Sequence, residues 1–331
     1  MKSNSLTPPD ASAAIHLART EPAAVRGGVS LVIPAYNEAG AIAEVVQEAT
    51  AALLDCGTPF EVIVVDDHSA DGTGDLARQA GARVVRHPYN RGYGNSLKSG
   101  IQASRYEYVV FCDADGSYPL NQLPRLLEDA DQFDMVVGAR EGKHFHGSIF
   151  KRLARTCQLR LVSFVTGMKV PDANSGFRLI GRESAMRFFD FVCTGFSFTT
   201  SITIGMLCEQ YLVKFVKVDY RKRTGSSHVR YVRDTLRSLQ IIVQCALRYN
   251  PLKMFVLCAL LPLLAAPLAL ALALANPLAA VGALVCVCAS VLVFALGMLA
   301  YCVRGQSSPA LPVSSGVYSS ARVEEPDKKA A

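Results

Sequence analysis

Short β-branched apolar runs alternate with helix-period segments through the first two-thirds of the chain, and this alternation limits the possible folds more than any other feature. Strands are expected at Val29–Pro34, Glu61–Val65, Ala82–Arg86, Tyr108–Cys112 and Met135–Gly138. The intervening segments carry helical signals. Asn37 is placed to cap a helix with the apolar face Ile42, Val45, Val46, Ala49 and Leu53; Asp71-Gly72-Thr73 opens a second helix, and Ser96–Ala103 forms a third. A β-α-β-α order needs crossover connections, so the expected class is α/β, with a mostly parallel, Rossmann-like sheet covered by helices on both faces. From about Phe150 the pattern becomes mixed.

In such a sheet the ligand crevice lies at the strand ends. Acids stand at those ends here: Glu38 after the first strand, Asp66 and Asp67 after the second, Asp113 and Asp115 after the fourth. Carboxylates accept hydrogen bonds, which suits the N–H edge of a base and the hydroxyls of a sugar. Two of them one residue apart also suit a hard divalent cation, which can hold a diphosphate. Singly, such residues serve equally well as helix caps. A dinucleotide site would require G-x-G-x-x-G after the first strand, where the chain reads Pro34-Ala35-Tyr36-Asn37-Glu38. Gly92-x-Gly94 follows the third strand instead, with Leu97 at the third glycine position, and no phosphate-binding G-x-x-x-x-G-K-[ST] loop occurs. Both nucleotide-binding classes are therefore disfavoured.

The C-terminal third differs in kind. Met254–Ala275 and Leu278–Val303 carry no charged residue, and each is long enough to span a hydrocarbon core as a helix. Asn276-Pro277 would form the turn of this hairpin, and membrane helices tolerate the kinks expected at Pro262 and Pro267. A buried helical hairpin of a soluble protein is the alternative. Between Tyr220 and Lys253 eight Lys or Arg face one acid, Asp234, and Arg304 follows the second run. Basic residues stay on the cytoplasmic side, so both termini are expected there, on an inner membrane crossed twice. The net charge of +6 comes largely from this tract, too local for nucleic-acid binding and suited to anionic lipid heads. Expected boundaries are a flexible leader at 1–28, a globular domain at 29–229, a basic amphipathic segment at 230–253, the hairpin at 254–303 and a disordered tail at 304–331. No secretory signal is expected in the leader, and the ten scattered cysteines suit a reduced, cytoplasmic setting.

Taken in order, Val32-Ile33-Pro34-Ala35-Tyr36-Asn37-Glu38, Val64-Val65-Asp66-Asp67-x-Ser69-x-Asp71-Gly72-Thr73, Asn90-Arg91-Gly92-x-Gly94 and Asp113-Ala114-Asp115 resemble family 2 glycosyltransferases of the GT-A fold. With Asn174-Ser175-Gly176-Phe177-Arg178 and the hairpin, the chain is most similar to the polyprenyl-phosphate branch, that of dolichol-phosphate mannosyltransferase and bacterial undecaprenyl-phosphate enzymes. The resemblance implies a nucleotide-diphosphate sugar donor and a Mg²⁺ or Mn²⁺ ion. It implies that Pro34, Tyr36, Glu38 and Asp67 (or Asp66) line the base and ribose, and that Asp113 and Asp115 hold the sugar and metal. Ser117 stands where the branch commonly has a metal-binding Gln. Arg140, Lys151, Arg152 and Arg178 match the acceptor-phosphate positions, Arg178 being equally suited to a role in the fold. Arg223, with Ser227 and His228, matches a loop that closes on the donor diphosphate.

Sugar-accepting members carry an acidic general base, but the matching region reads Gly195-Phe196-Ser197-Phe198-Thr199-Thr200-Ser201. A phosphate monoester is already anionic at neutral pH and needs only positioning and partial neutralisation. The expected activity is therefore inverting transfer to a polyprenyl phosphate in cell-envelope glycosylation. A processive polysaccharide synthase is one alternative, disfavoured by the absence of any Trp and of further spans. A non-catalytic nucleotide-sugar-binding scaffold is the other.

Overall fold

A computed structural model of the chain describes residues 27–142, 149–195, 197–222, 231–273 and 278–307. The expected leader apart from residues 27–28, and the expected tail apart from 304–307, lie outside them, as does the Asn276-Pro277 turn. Residues 304–307 are helical, so the helix runs past the expected start of the tail at 304. Residues up to Asn250 make one compact unit, and those from Pro251 a second.

The first unit is built on seven strands in the order β3-β2-β1-β4-β6-β5-β7. They are β1 (Val29–Ala35), β2 (Phe60–Asp66), β3 (Arg83–Arg86), β4 (Tyr108–Phe111), β5 (Met135–Glu141), β6 (Arg178–Gly181) and β7 (Val213–Asp219). All run parallel except β6, which pairs antiparallel with β4 and β5. The five expected strands are present, within a few residues at their ends. β6 and β7 are additions from the mixed region. Four residues opening with Arg178 give β6 no alternation to detect, and the lysines interleaved in Val213–Asp219 mask an edge strand.

Period-two alternation sends side chains of one strand to opposite faces. Leu31 and Ile33 of β1 join Val62, Val64 and Val110 under α1 (Ile42–Asp55), whose Ile42, Val45, Val46, Ala49 and Leu53 are buried as their spacing requires. Val32 faces the other way, with Ile63, Val109 and Phe111. There it packs under α3 (Tyr93–Ala103) and α7 (Phe198–Cys208), through Leu97, Ile101, Phe198 and Ile202. The result is three layers, helix–sheet–helix, with β1 buried along its whole length. The short α2 (Thr73–Gln79), α4 (Leu123–Leu127) and α6 (Arg182–Arg187), with α5 (Ile149–Thr166), complete the connections.

The chain leaves β1 toward β2 and β3 on one side and returns to β4 on the other. That reversal opens a crevice between the C-terminal ends of β1 and β4, the usual ligand position in open α/β sheets.

Helix α8 (Tyr231–Tyr249) corresponds to the amphipathic segment expected at Asp234–Leu247. Much of its apolar side is used within the first unit. Ile242, Cys245 and Ala246 are buried where α8 packs on α7 and α5, while Leu236, Leu239 and Leu247 remain exposed. In the second unit α9 (Pro251–Ala273) and α10 (Leu278–Ser307) pack against each other, Gly297 admitting the side chain of Phe255. Pro262 and Pro267 lie inside α9. Among the described residues of the two expected spans, Ala280–Cys302 alone is by itself apolar and long enough to cross a membrane, with mean hydropathy 2.7. Pro251–Pro267 meets that criterion only together with Thr235–Tyr249. Large apolar side chains face outward from both helices, including Leu261 (68% exposed), Leu264 (70%) and Leu292 (61%). So dense an exposed apolar surface is unusual for a chain surrounded by water.

Candidate active site

The crevice at the β1/β4 reversal is a cavity of about 440 Å³. Pro34, Tyr36, Glu38, Asp67, Asp113, Asp115 and Arg140 all line it, so residues far apart in sequence meet at one place. How each is held follows from local chemistry.

The loop after β1 is laced to the loop after β2. Asn37 takes a left-handed conformation (φ 54), its N–H donating to Ser69 Oγ (3.0 Å) and its Oδ1 accepting from Ala70 N–H (2.9 Å). Glu38 N–H donates to Thr73 Oγ1 (2.9 Å), and Ala39 N–H to Asp71 Oδ2 (3.0 Å). Asn37 is thus a cross-brace rather than the expected helix cap, and α1 starts five residues later, at Ile42. Asp71 Oδ1 accepts from Thr73 N–H (3.1 Å), which does open α2.

The adjacent acids Asp66 and Asp67 divide the work. Asp66 is buried, accepts from Ser69 N–H (2.9 Å), pairs with Arg86 (3.4 Å) and does not line the cavity. Asp67 lines it while anchoring the next loop. Its Oδ1 accepts from Arg91 N–H (2.8 Å) and lies 2.7 Å from His87 Nδ1, and its Oδ2 accepts from Gly92 N–H (2.7 Å). The Asn90-Arg91-Gly92 motif is in this way fixed as a wall of the cavity.

Asp113 lies beyond β4. The Tyr93 hydroxyl donates to its Oδ1 (2.9 Å), and the Gly176 backbone presses on the carboxylate from another side. A Cβ at position 176 would come within 2.5 Å of Asp113 Oδ1, so only glycine fits. Burial pushes the Tyr93 phenol well above its ordinary value, and the Asp113 charge adds to the rise, so the hydroxyl remains a proton donor. Tyr93 occupies the variable position of Gly92-x-Gly94, and nothing in the sequence marks it. Replacing Tyr93 by Phe removes one charge-assisted bond without changing shape. The expected result is about a tenfold loss of kcat/KM with an unchanged melting temperature, read by steady-state kinetics over donor concentration.

Asp115 is 7% exposed, and its Oδ1 accepts from Ser117 N–H (3.0 Å). Ser117 itself is fully buried and does not line the cavity. Its N–H is spent on Asp115, while its hydroxyl sits buried beside the phenol of Tyr220, which does line the cavity. No group of three or more His, Cys, Asp or Glu suited to a metal occurs among the described residues. Asp113 and Asp115 supply two hard oxygen donors at the cavity, a set that suits Mg²⁺ or Mn²⁺ when a diphosphate completes the coordination.

The expected basic residues separate. Arg140 reaches the cavity, but it is held in a forked pair with Asp172, Nε to Oδ2 at 2.8 Å and Nη2 to Oδ1 at 3.0 Å. Burial alone would raise the Asp172 carboxyl. The Arg140 charge and the hydrogen bonds from Arg140 and Asn174 outweigh it and hold the group below the usual carboxylate range. Arg178 is fully buried, and its guanidinium donates to the carbonyl oxygens of Ser175, Thr199 and Ala173 and to Thr203 Oγ1. It cannot meet a ligand phosphate; it ties β6 to α7, and its assignment to the acceptor is corrected accordingly. Arg152 is exposed on α5 and lies outside the cavity lining. Arg223, Ser227, His228 and the Lys151 side chain lie outside the described residues.

Asn174-Ser175-Gly176 is mostly internal bracing. Ser175 Oγ donates to Gly138 O (2.6 Å), and Gly176 N–H to the Tyr118 hydroxyl (2.8 Å). Asn174 lines the cavity, with Thr199 from the first turn of α7.

Residues 30–189 match the family described as Glycosyl transferase family 2. This segment is a family 2 glycosyltransferase domain. The low-salt glycan biosynthesis hexosyltransferase Agl6 of Haloferax volcanii is 29% identical over 221 residues, 65% of this chain and 53% of that one. An undecaprenyl-phosphate 4-deoxy-4-formamido-L-arabinose transferase from Edwardsiella ictaluri is 34% identical over 151 residues, 44% of this chain and 46% of its own. The chain thus spans about half the length of the curated relatives it matches. Glucosyl-3-phosphoglycerate synthase from Mycobacterium tuberculosis, in complex with Mn²⁺, UDP-glucose and phosphoglyceric acid, superimposes with a TM-score of 0.57 at 20% identity. That match covers 68% of this chain and 82% of that one. It establishes the GT-A fold, with the family 2 motifs Pro34–Glu38, Asp66–Thr73 and Asp113–Asp115 at the ends of β1, β2 and β4.

Proposed function

We propose that the chain is a membrane-bound, inverting glycosyltransferase that moves a sugar from a nucleotide-diphosphate donor to a polyprenyl phosphate. One observation carries the choice of acceptor. The cavity wall at the start of α7 presents Thr199, and the four carboxylates lining the cavity, Glu38, Asp67, Asp113 and Asp115, all come from the ends of β1, β2 and β4. Among the described residues, no acid lines the α7 side of the cavity, where an acceptor hydroxyl would need its proton removed. A phosphate monoester needs no such base. The undecaprenyl-phosphate transferase similarity agrees with this choice.

In this reading Tyr36 and Pro34 flank the nucleobase, while Glu38 and Asp67 bound the base and ribose. Tyr93 and Gly176 orient Asp113 toward the sugar. Asp113 and Asp115 would hold the divalent cation, which supplies charge neutralisation to the diphosphate when bound. An acceptor phosphate oxygen forms its bond to the anomeric carbon as the bond from that carbon to the donor diphosphate breaks. The nucleoside diphosphate leaves with the electron pair, and the configuration inverts. Arg223, Ser227 and His228 are assigned to the donor diphosphate on motif position alone.

The domain occupies about 29–229, with the hairpin after Lys253 crossing the membrane. The basic tract at 221–253 keeps the domain and both termini on the cytoplasmic face. Membranes containing the chain, incubated with radiolabelled nucleotide sugars and a polyprenyl phosphate, are expected to yield organic-extractable label dependent on Mg²⁺ or Mn²⁺. Insoluble polymer in its place identifies a synthase, and no product across a broad donor panel identifies a scaffold; either result overturns the reading.

A further inference from the structure

Of the four basic residues that motif position assigned to the acceptor phosphate, Arg178 is in the core, Arg140 is forked to Asp172, Arg152 is exposed outside the cavity lining, and the Lys151 side chain lies outside the described residues. A different seat adjoins the donor cavity. A second cavity, of about 270 Å³, shares Asn90, Gly92 and Tyr93 with the lining of the first. Three arginines line it: Arg91 from the loop after β3, and Arg233 and Arg237 from α8. Thr194, Gly195 and Ser197, just before α7, also line it. No acidic residue is among its lining residues.

We propose that this arginine-lined cavity is a phosphomonoester site for an amphiphilic ligand, and that it seats the phosphate of the lipid acceptor. Three features support the choice. Guanidinium groups bind phosphate oxygens through paired N–H donors, and convergence of several favours a dianion over a neutral hydroxyl. Arg233 and Arg237 are one helical turn apart, so they present to the same space. From the same stretch of α8, Leu236 (61% exposed) and Leu239 (44%) offer apolar surface beside the arginines. A ligand with an anionic head and an apolar body matches that pairing of charge and leucine. A free anion would use only half of it.

The shared wall gives the site a functional link. Asp67 pins Arg91 and Gly92 by their N–H groups, and Tyr93 donates to Asp113. A phosphate held by Arg91 is therefore one residue from the wall that shapes the donor cavity. A chain of hydrogen bonds also joins the two sides. Ser238, beside Arg237 on α8, bonds with Gln158 (2.6 Å), Gln158 with Asn174 (3.3 Å), and Asn174 with Thr200. Asn174 lines the donor cavity, so the helix that carries the arginines is braced to the reaction centre.

The identity of the ligand as acceptor rests on the proposed function; the site itself does not. The test uses the full chain in detergent micelles, with farnesyl phosphate, farnesol, inorganic phosphate and UDP as probes. The paired substitution Arg233→Gln and Arg237→Gln should weaken farnesyl phosphate binding by about tenfold or more, and leave farnesol and UDP binding unchanged. Unaltered thermal melting shows that the variant is folded. Both arginines are exposed, which makes that the expected result. Equal farnesyl phosphate binding by the variant and the unmodified chain overturns the proposal. So does a loss confined to UDP, which assigns the cavity to the donor. Inorganic phosphate binding as tightly as farnesyl phosphate overturns the lipid part. Transfer activity is read separately. Arginine-dependent binding without transfer from any donor sinks the proposed function and leaves the site standing. Transfer with an unchanged acceptor KM in the variant sinks the site and leaves the function.

Discussion

Asp115→Asn is expected to lower sugar transfer by about 10²–10³-fold while leaving the domain folded. The substitution keeps the size of the side chain and an oxygen able to accept from Ser117 N–H, now at 3.0 Å, so the turn after β4 should survive. What it removes is a negative charge at a nearly enclosed position on the cavity wall, where a cation would meet the donor diphosphate. Neutralising a leaving diphosphate is worth several kcal/mol in the transition state, and each ~1.4 kcal/mol is tenfold in rate. The measurement pairs label transfer with calorimetric titration of Mn²⁺ in the presence of UDP. Both should fall together. Full transfer by a folded Asn variant would remove Asp115 from the mechanism, and lost transfer with undiminished Mn²⁺ binding would move its role from metal to sugar.

The acids of this site are legible in the sequence because each ends a strand whose period-two alternation is plain: β1, β2 and β4 announce themselves, and Glu38, Asp67, Asp113 and Asp115 follow. What holds those acids is less legible. Tyr93 meets Asp113 across 20 residues, and Asp172 meets Arg140 across 32, and no local pattern records a pairing made only by folding. Asp66 and Asp67 are indistinguishable by type, and the partners each meets on folding separate them: Ser69 and Arg86 for Asp66, His87, Arg91 and Gly92 for Asp67. Asn37 shows the same limit on a smaller scale. An Asn before an apolar helical run fits a cap, yet a left-handed backbone and two bonds to the β2 loop make it a brace. The arginine-lined cavity draws on a loop and a helix more than 140 positions apart, so only the folded chain brings Arg91 beside Arg237.

Arg178 carries the second large expectation, and it concerns stability. An arginine in a motif beside an active site suggests a ligand contact, because charged side chains are almost never fully buried unless paired. Here the partners are carbonyl oxygens and a hydroxyl: Ser175 O and Ala173 O from the loop before β6, Thr199 O and Thr203 Oγ1 from α7. Burial pushes the guanidinium down to about 10, the nearby tyrosines and Asp172 working against that fall, so it stays charged at neutral pH. An Arg178→Met variant fills much of the volume but leaves several buried carbonyls without donors, each costing roughly 1–3 kcal/mol. Partial rearrangement recovers some of this, so a net loss of about 3–5 kcal/mol is expected, or roughly 10 °C in melting temperature for a domain of this size. A phosphate-binding arginine would behave in the opposite way, with melting unchanged and acceptor KM raised. Differential scanning calorimetry beside acceptor kinetics separates the two. A variant that melts like the unmodified chain while its acceptor KM climbs would return Arg178 to the phosphate and undo its role as the tie between β6 and α7.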